Sequence, residues 1–72
     1  MGFPYFDMFY DKEDSKNVIM IQNILNVLLS QGYDRIFFKR QLDAYNWEWV
    51  KYQNDNFRGN AEGYNVDIRI YF

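Results

Sequence analysis

The segment SKNVIMIQNILNVLLSQG, residues 15–32, decides the fold, because it carries the clearest helix pattern in the chain. Four apolar residues recur with the spacing i, i+3, i+7 and i+10: Val18, Ile21, Leu25 and Leu28. This spacing is typical of one apolar helix face. Gly32 follows at the place where a left-handed residue commonly closes a helix. The pattern therefore predicts a helix over residues 15–31.

The segment before the helix is rich in aromatic residues. Residues 3–10, FPYFDMFY, predict a strand with Pro4 at its start or at a sheet edge, because proline donates no ladder hydrogen bond. The next residues are acidic and polar, and three of them are candidate N-caps for the helix: Asp11, Asp14 and Ser15. The order predicted so far is strand and then helix.

After Gly32 the pattern changes to that of strands. Three β segments are predicted, at residues 35–42, 45–53 and 64–72. The expected core-facing residues of the first and last are Ile36, Phe38, Leu42, Tyr64, Val66, Ile68, Ile70 and Phe72, while Asn65, Asp67 and Arg69 face outward. Residues 54–63 are polar and contain Asn and Gly, which predicts a long hairpin loop.

The middle β segment has a second interpretation. Its alternation places Tyr45, Trp47 and Trp49 on one face, with Val50 and Tyr52 on the other. The residues Leu42, Tyr45, Trp49 and Tyr52 also fit a helical face with spacing i, i+3, i+7 and i+10. The aromatic content favours the strand, and both alternatives stay open on the sequence alone.

These elements predict a small α+β domain, residues 1–72, with the order β-α-β-β-β. Its antiparallel-dominated sheet carries one helix packed on one face. A single helix of this length covers one face of four strands, so the second face has to be polar or covered by a partner. Residues 45–53 carry large apolar groups on both sides, which makes the uncovered face the main clue to function.

Composition limits the chemistry that this chain can perform. It contains 16 aromatic residues, no Cys and no His, so a disulfide, a Cys/His zinc site and a histidine base are excluded. Ser15 and Ser30 are the serines, and neither has an evident base. The carboxylates Asp7, Asp11 and Asp14 are expected to be solvated. We therefore predict a protein that is not an enzyme and uses no cofactor.

The loop over residues 54–63 shows only weak resemblance to ligand-binding motifs. Its Asn and Gly spacing partly matches a calcium-binding loop. However, Arg58 occupies a position that requires an oxygen ligand, and Asn65 occupies the position that requires Glu. Gly59 and Gly63 are not followed by the Lys and Ser or Thr of a phosphate-binding loop. Turn formation explains the segment better, and no metal site is predicted.

Charge and hydropathy indicate the setting. The net charge is −2 and the pI about 4.8, with −3 on residues 1–34 and +1 on residues 35–72. Ten acids against eight bases are too few for a DNA mimic. The N-terminus lacks the pattern of a signal peptide, and no segment is apolar over a membrane-spanning length. The expected location is the cytoplasm, with no membrane partner.

The residues typical of protein interfaces are concentrated between positions 33 and 52. Trp, Tyr and Arg dominate interface hot spots. The predicted protein-binding residues are Tyr33, Arg35, Arg40, Tyr45, Trp47, Trp49 and Tyr52. Sixteen aromatic residues exceed what so small a core can bury, so the leading prediction is a protein-binding module that also forms a homodimer.

Two other functions use the same features. The alternative prediction is a stacking platform for single-stranded nucleic acid, formed by Tyr45, Trp47 and Trp49 with basic residues nearby. The net negative charge makes this less favoured than protein binding. A structural subunit of a larger assembly is the third possibility.

The amino-acid bias suggests a biological context. Asn, Ile, Tyr, Phe, Lys and Met account for 35 of the 72 residues. This bias, together with the small size, is typical of proteins from AT-rich phages and mobile elements. The expectation is an accessory protein that inhibits or modulates a host or rival machine by stoichiometric binding.

Overall fold

The computed structural model describes residues 4–72, except for the side chain of Ser15, so the predictions for Phe3 and for the capping side chain of Ser15 lie outside the described parts. The elements in chain order are β1 (Tyr5–Tyr10), a 3-10 helix (Lys12–Asn17), α1 (Val18–Ser30), β2 (Ile36–Gln41), β3 (Trp47–Lys51), α2 (Phe57–Ala61) and β4 (Val66–Tyr71). The small α+β class is confirmed, and the segment with two interpretations is a strand. No helix within residues 4–72 is long and apolar enough to cross a membrane.

The four strands form one sheet in the order β1-β4-β2-β3, and all neighbours are antiparallel. The last strand therefore lies between β1 and β2, where both of its edges are paired. The predicted hairpin between β3 and β4 is wrong, because these strands are not neighbours. The strict alternation of β4 explains which of its faces lies in the core, since Val66, Ile68 and Ile70 are all buried.

The connection from β3 to β4 contains a short helix that the sequence reading missed. Phe57 and Ala61 are spaced i, i+4 within a polar segment, and both are fully buried. The Phe57 ring packs edge-on against Tyr10 at 6.1 Å and Phe38 at 5.2 Å between ring centroids. The polar residues around it concealed an apolar pair that anchors α2 to the core.

The start of α1 lies later than predicted, at Val18 rather than residue 15. The preceding residues form a 3-10 turn in which Asp11 acts as a cap: its carboxylate accepts the Glu13 N–H at 2.8 Å, and its carbonyl accepts the Asp14 N–H at 2.8 Å. The end of the helix agrees with the prediction. Gly32 has a φ of 95°, the left-handed region that glycine tolerates best.

The core lies between α1, α2 and one face of the sheet. Its buried residues are Tyr10, Val18, Ile21, Leu25, Ile36, Phe38, Tyr52, Phe57, Ala61, Val66, Ile68 and Ile70. Three predicted core residues are not among them. Tyr64 is partly buried and packs against the core. Leu42 is exposed because β2 ends at Gln41, and Phe72 is exposed because it follows the last residue of β4.

Candidate functional site

The face of the sheet opposite α1 has no helix over it within residues 4–72, and we call it the open face. Cross-strand register determines its members, because residues directly opposite each other point to the same side. The open face consists of Tyr5, Asp7 and Phe9 from β1, Asp67, Arg69 and Tyr71 from β4, Phe37, Lys39 and Gln41 from β2, and Trp47, Trp49 and Lys51 from β3. Arg35 adjoins it, immediately before β2.

Two tryptophans form the β3 side of the open face. Trp47 is 38% exposed and Trp49 is 51% exposed, so neither is part of the core. The Lys39 ammonium lies 5.4 Å from the ring centroid of Trp47 and 5.5 Å from that of Trp49. Both distances are within the range of a cation–π interaction. The lysine therefore links the two rings while 38% of Trp47 and 51% of Trp49 stay in contact with water.

Arg69 is the central cation of the open face. Its guanidinium carbon lies 4.4 Å from the ring centroid of Tyr5 and 5.2 Å from that of Trp49. Its ion pair with Asp7 is long, at 4.0 Å, and its buried Nε has no hydrogen-bond acceptor within residues 4–72. A guanidinium presents five N–H donors in a planar fork that matches a carboxylate. The arrangement holds this fork in place between two aromatic rings, with Asp7 and Tyr71 beside it.

Asp7 and Asp67 lie on neighbouring strands of the open face. Burial raises the pKa of Asp67 above its ordinary value, and a hydrogen bond and charge repulsion involving Asp7 raise it further. Lys39 and Arg69 act in the opposite direction and favour the charged form of Asp67. The two cations thus reduce the cost of placing two carboxylates close together.

Replacing Asp67 with Asn is expected to reduce the pH dependence of stability. Because the folded-state pKa of Asp67 is raised above its ordinary value of 3.8, the folded protein holds this proton more tightly than the unfolded chain does. The contribution of Asp67 to stability is thus most favourable below 3.8 and falls as the pH rises through the folded-state pKa. Urea unfolding of wild type and Asp67→Asn at several acidic and neutral pH values measures this. An unchanged pH profile would contradict the assignment.

A shallow depression of about 490 Å³ lies on the open face between Arg35, Phe37, Trp49 and Tyr71. The Arg35 guanidinium carbon is 5.2 Å from the Tyr71 ring centroid, and Phe37 packs edge-on against Tyr71 at 5.8 Å. The depression is thus walled by aromatic rings with a cation at its margin. It can accept an apolar side chain beside a carboxylate.

The charge of the open face differs in sign from that of the whole chain. Its cations, counting Arg35, are Arg35, Lys39, Lys51 and Arg69, and its acids are Asp7 and Asp67. Four cations less two acids give +2, against −2 for the chain. The face is therefore a basic aromatic surface on an acidic protein, which favours an acidic partner.

Of the predicted binding residues, the structure brings Arg35, Trp47 and Trp49 together on or beside the open face. Tyr45 belongs to the tight turn between β2 and β3 and is 92% exposed. Asp43 holds this turn by accepting the N–H groups of Tyr45 at 2.9 Å and Asn46 at 3.0 Å. Hydrogen bonds lower the pKa of Asp43 below its ordinary value, and the largest effect comes from the bond donated by the Asn46 side chain. Tyr45 is thus presented at one end of β3.

The remaining three predicted residues lie elsewhere. Tyr33 precedes β2 and packs edge-on against Phe72 at 6.0 Å. Arg40 points to the α1 side, where its guanidinium pairs with Glu48 at 3.7 Å and lies 5.0 Å from the Tyr64 ring centroid.

Tyr52 is also absent from the open face, because it is part of the core. Its side chain is buried, and its hydroxyl donates a hydrogen bond to the side-chain oxygen of Asn26 on α1. Burial raises the pKa of Tyr52. The alternation in residues 45–53 already placed it opposite Trp49, and that signal identifies it as a core residue.

Sequence reasoning missed much of the open face. Arg69 and Tyr71 come from β4, far from residues 33–52, where the residues typical of interfaces are concentrated in sequence. Lys39 lies within that segment but was not among the predicted protein-binding residues. The outward positions predicted for Asp67 and Arg69 were the available signal. Their pairing with the tryptophans depends on the strand order, which the sequence pattern leaves undetermined.

Comparison of the chain with known protein families, with curated proteins and with solved structures gives no match. Inference about function therefore rests on the chemistry of the open face. That face combines exposed rings, cations held against them and one carboxylate pair. Such a surface can bind by burying aromatic area and by pairing with carboxylates or phosphates.

Proposed function

We propose that this protein is a non-enzymatic binding module that holds an acidic partner protein against its open face. The observation that supports this most is the pair of half-exposed tryptophans joined by Lys39 and flanked by Arg69. Tryptophan and arginine are the residues that most often supply interface binding energy. Their rings and donors are already ordered by cross-strand contacts, so little rotamer freedom remains to be lost on binding.

The partner is expected to offer two chemical features. An apolar side chain would fill the depression beside Trp49, and carboxylates would approach Arg69 and Arg35. Charge complementarity with a +2 face would speed association and set orientation, while burial of the Trp rings would supply most of the affinity. The amino-acid bias supports the narrower proposal that this chain is an accessory protein of a phage or mobile element and that its partner belongs to a host or rival machine, which it inhibits or modulates.

Replacing Trp49 with Ala is expected to weaken partner binding by about thirtyfold or more, the loss corresponding to about 2 kcal/mol for a hot-spot residue. The fold should survive, since half of this ring is exposed. The measurement is quantitative affinity capture from a bacterial lysate with immobilised protein, followed by titration of the purified captured protein. Circular dichroism of the variant confirms folding.

A matched control is available on α1, away from the open face. Ile19 is 48% exposed, close to the exposed fraction of Trp49. Ile19→Ala should retain the captured protein at wild-type affinity. The proposal fails if the two substitutions have equal effects on binding, or if Trp49→Ala binds as the wild type does.

The +2 charge of the open face favours a second candidate, binding of single-stranded nucleic acid. Exposed aromatic rings beside cations are the usual stacking platform for such ligands. Fluorescent oligothymidylate and the captured protein can be titrated at several salt concentrations. Oligonucleotide binding that is lost in Trp49→Ala and falls steeply with salt would favour nucleic acid, whereas protein binding that is lost in Trp49→Ala and falls much less steeply with salt would favour the first proposal.

A further inference from the structure

A second apolar surface lies away from the open face, along the flank of α1 that borders the free edge of β1. We call it the β1 flank. It includes a groove of about 270 Å³ lined only by apolar residues: Phe6, Met8, Ile21, Ile24, Leu25, Leu28, Ile70 and Phe72. Met20, Ile24 and Val27 recur with the spacing i, i+4 and i+7, so they form one exposed apolar stripe on α1 beside this groove.

The composition of α1 is unusual for a helix with so much exposed surface. Residues 18–30, VIMIQNILNVLLS, contain no charged side chain. Exposed helix faces in soluble proteins normally carry charged or polar residues. An exposed apolar stripe that continues an apolar groove is instead typical of an interaction surface.

The outer edge of β1 is available for strand pairing. Among residues 4–72 this strand pairs with β4 alone, and the Phe72 N–H donates to the Pro4 carbonyl at 3.1 Å. Because hydrogen-bonded pairs alternate along an antiparallel ladder, the backbone groups of Tyr5, Asp7 and Phe9 point away from β4. The other sheet edge, β3, is short and bears Glu48 and Lys51, which protect it, whereas Asp7 is the sole charge on β1.

We infer that the β1 flank binds a second copy of this chain, with the two β1 edges antiparallel and the two α1 stripes in contact. In a twofold interface residue i of one copy meets residue j of the other while j meets i, so the same surface faces itself, and a surface without charged side chains brings no like charges together. The β1 flank has this property. The inference does not rest on the proposed function, because the apolar groove and the α1 stripe lie on the other side of the sheet from Trp49 and Arg69.

The area available matches what a dimer requires. A whole aromatic side chain has an area of about 150–250 Å². Because Phe6 and Phe72 are both more than half exposed, each has about 100 Å² of apolar surface available for burial in an interface. On the same basis, about 50 Å² is available on each of Met20, Ile24 and Val27. This area follows from the free energy of burying a whole aliphatic side chain, divided by about 25 cal/mol per Å². With complete burial, these residues of two copies supply up to about 700 Å² of apolar surface, close to the two-thirds apolar share of the smallest stable interfaces, of about 1,200 Å².

Ile24→Lys tests the inference against a control on the same helix. Ile24 lies on the β1 flank and is 51% exposed, and Ile19 is similarly exposed, at 48%. At 100° per residue, the side chain of Ile19 lies about 140° around the α1 axis from that of Ile24, so it is outside the β1 flank. Sedimentation velocity should show a wild-type dimer. Ile24→Lys should raise its dissociation constant by about a hundredfold or more, because each copy then buries an unpaired charge. Ile19→Lys should remain dimeric.

Three results would overturn the inference: a wild type that stays monomeric at about 100 μM, dissociation by both lysine variants alike, or an assembly larger than a dimer. A monomeric wild type would leave the β1 flank to a different protein. If circular dichroism shows that Ile24→Lys is unfolded, Val27→Lys gives the same readout from the same stripe. Failure here leaves the capture experiment with Trp49→Ala unaffected, so the two proposals are tested separately.

Discussion

Phe57→Ala is expected to lower the free energy of unfolding by about 3–5 kcal/mol. Phe57 is fully buried, and its ring is held edge-on between those of Tyr10 and Phe38. Truncation removes both aromatic contacts and leaves a cavity between α2 and the sheet. A domain of this length has a total stability of about 4–11 kcal/mol, so the loss is a large fraction of the stability of the wild type. Urea unfolding followed by circular dichroism measures the change.

Phe9→Ala is the matched control for this prediction. Phe9 has the same side chain but is exposed on the open face at the β1 edge. Its truncation should change the free energy of unfolding by less than about 0.5 kcal/mol. Similar losses for the two variants would show that α2 is not part of the cooperative core, and the assignment of Phe57 as its anchor would be wrong.

Tyr52→Ala is expected to cost about 3–5 kcal/mol of stability, as other large-to-small changes of buried aromatic residues do. Tyr52 is buried, and its hydroxyl joins the end of β3 to α1 through Asn26. Tyr52→Phe keeps the ring and removes this hydrogen bond, so a loss of about 1 kcal/mol is expected. Thermal and urea unfolding of both variants separate the packing and hydrogen-bond contributions.

Tyr45→Ala provides the comparison, because the sequence interpretation assigned both tyrosines to a binding surface. Tyr45 is almost fully exposed, and its replacement should leave stability within about 0.5 kcal/mol of the wild type. A Tyr52→Ala variant as stable as Tyr45→Ala would show that Tyr52 is not a core residue. It would then return to the list of candidate contact residues.

Local patterns were sufficient to predict the helix, the strands and the side of the sheet on which most residues lie. The spacing of Val18, Ile21 and Leu25 identified the buried face of α1, and Gly32 marked its end. The position of β4 could not be read in this way, because strand order depends on pairing between distant segments and alternation is the same for a central or an edge strand. For the same reason α2 was missed, since a single buried pair within a polar segment has no repeating pattern.

The candidate site was predicted only in part, and its errors have a physical cause. Trp47 and Trp49 were identified because two tryptophans in an alternating strand are conspicuous. Arg69 was not, because its role depends on Tyr5 and Trp49, which reach it from different strands. Arg40 was included because it is close in sequence, but its register with Glu48 places it on the α1 side.

The central position of β4 also constrains how the domain is made. A ribosome releases β1, α1, β2 and β3 first, and β1 and β2 then have no common neighbour, because the strand between them is residues 66–71. Pairing of Phe6 with Ile70 closes a loop across nearly the whole domain. Closing this loop costs chain entropy before the contacts of the complete sheet can compensate for it. In the nascent chain, the hairpin of β2 and β3 and the uncharged helix α1 therefore stay exposed until β4 has been synthesised. During that interval chaperones and aggregation compete for the same apolar surfaces.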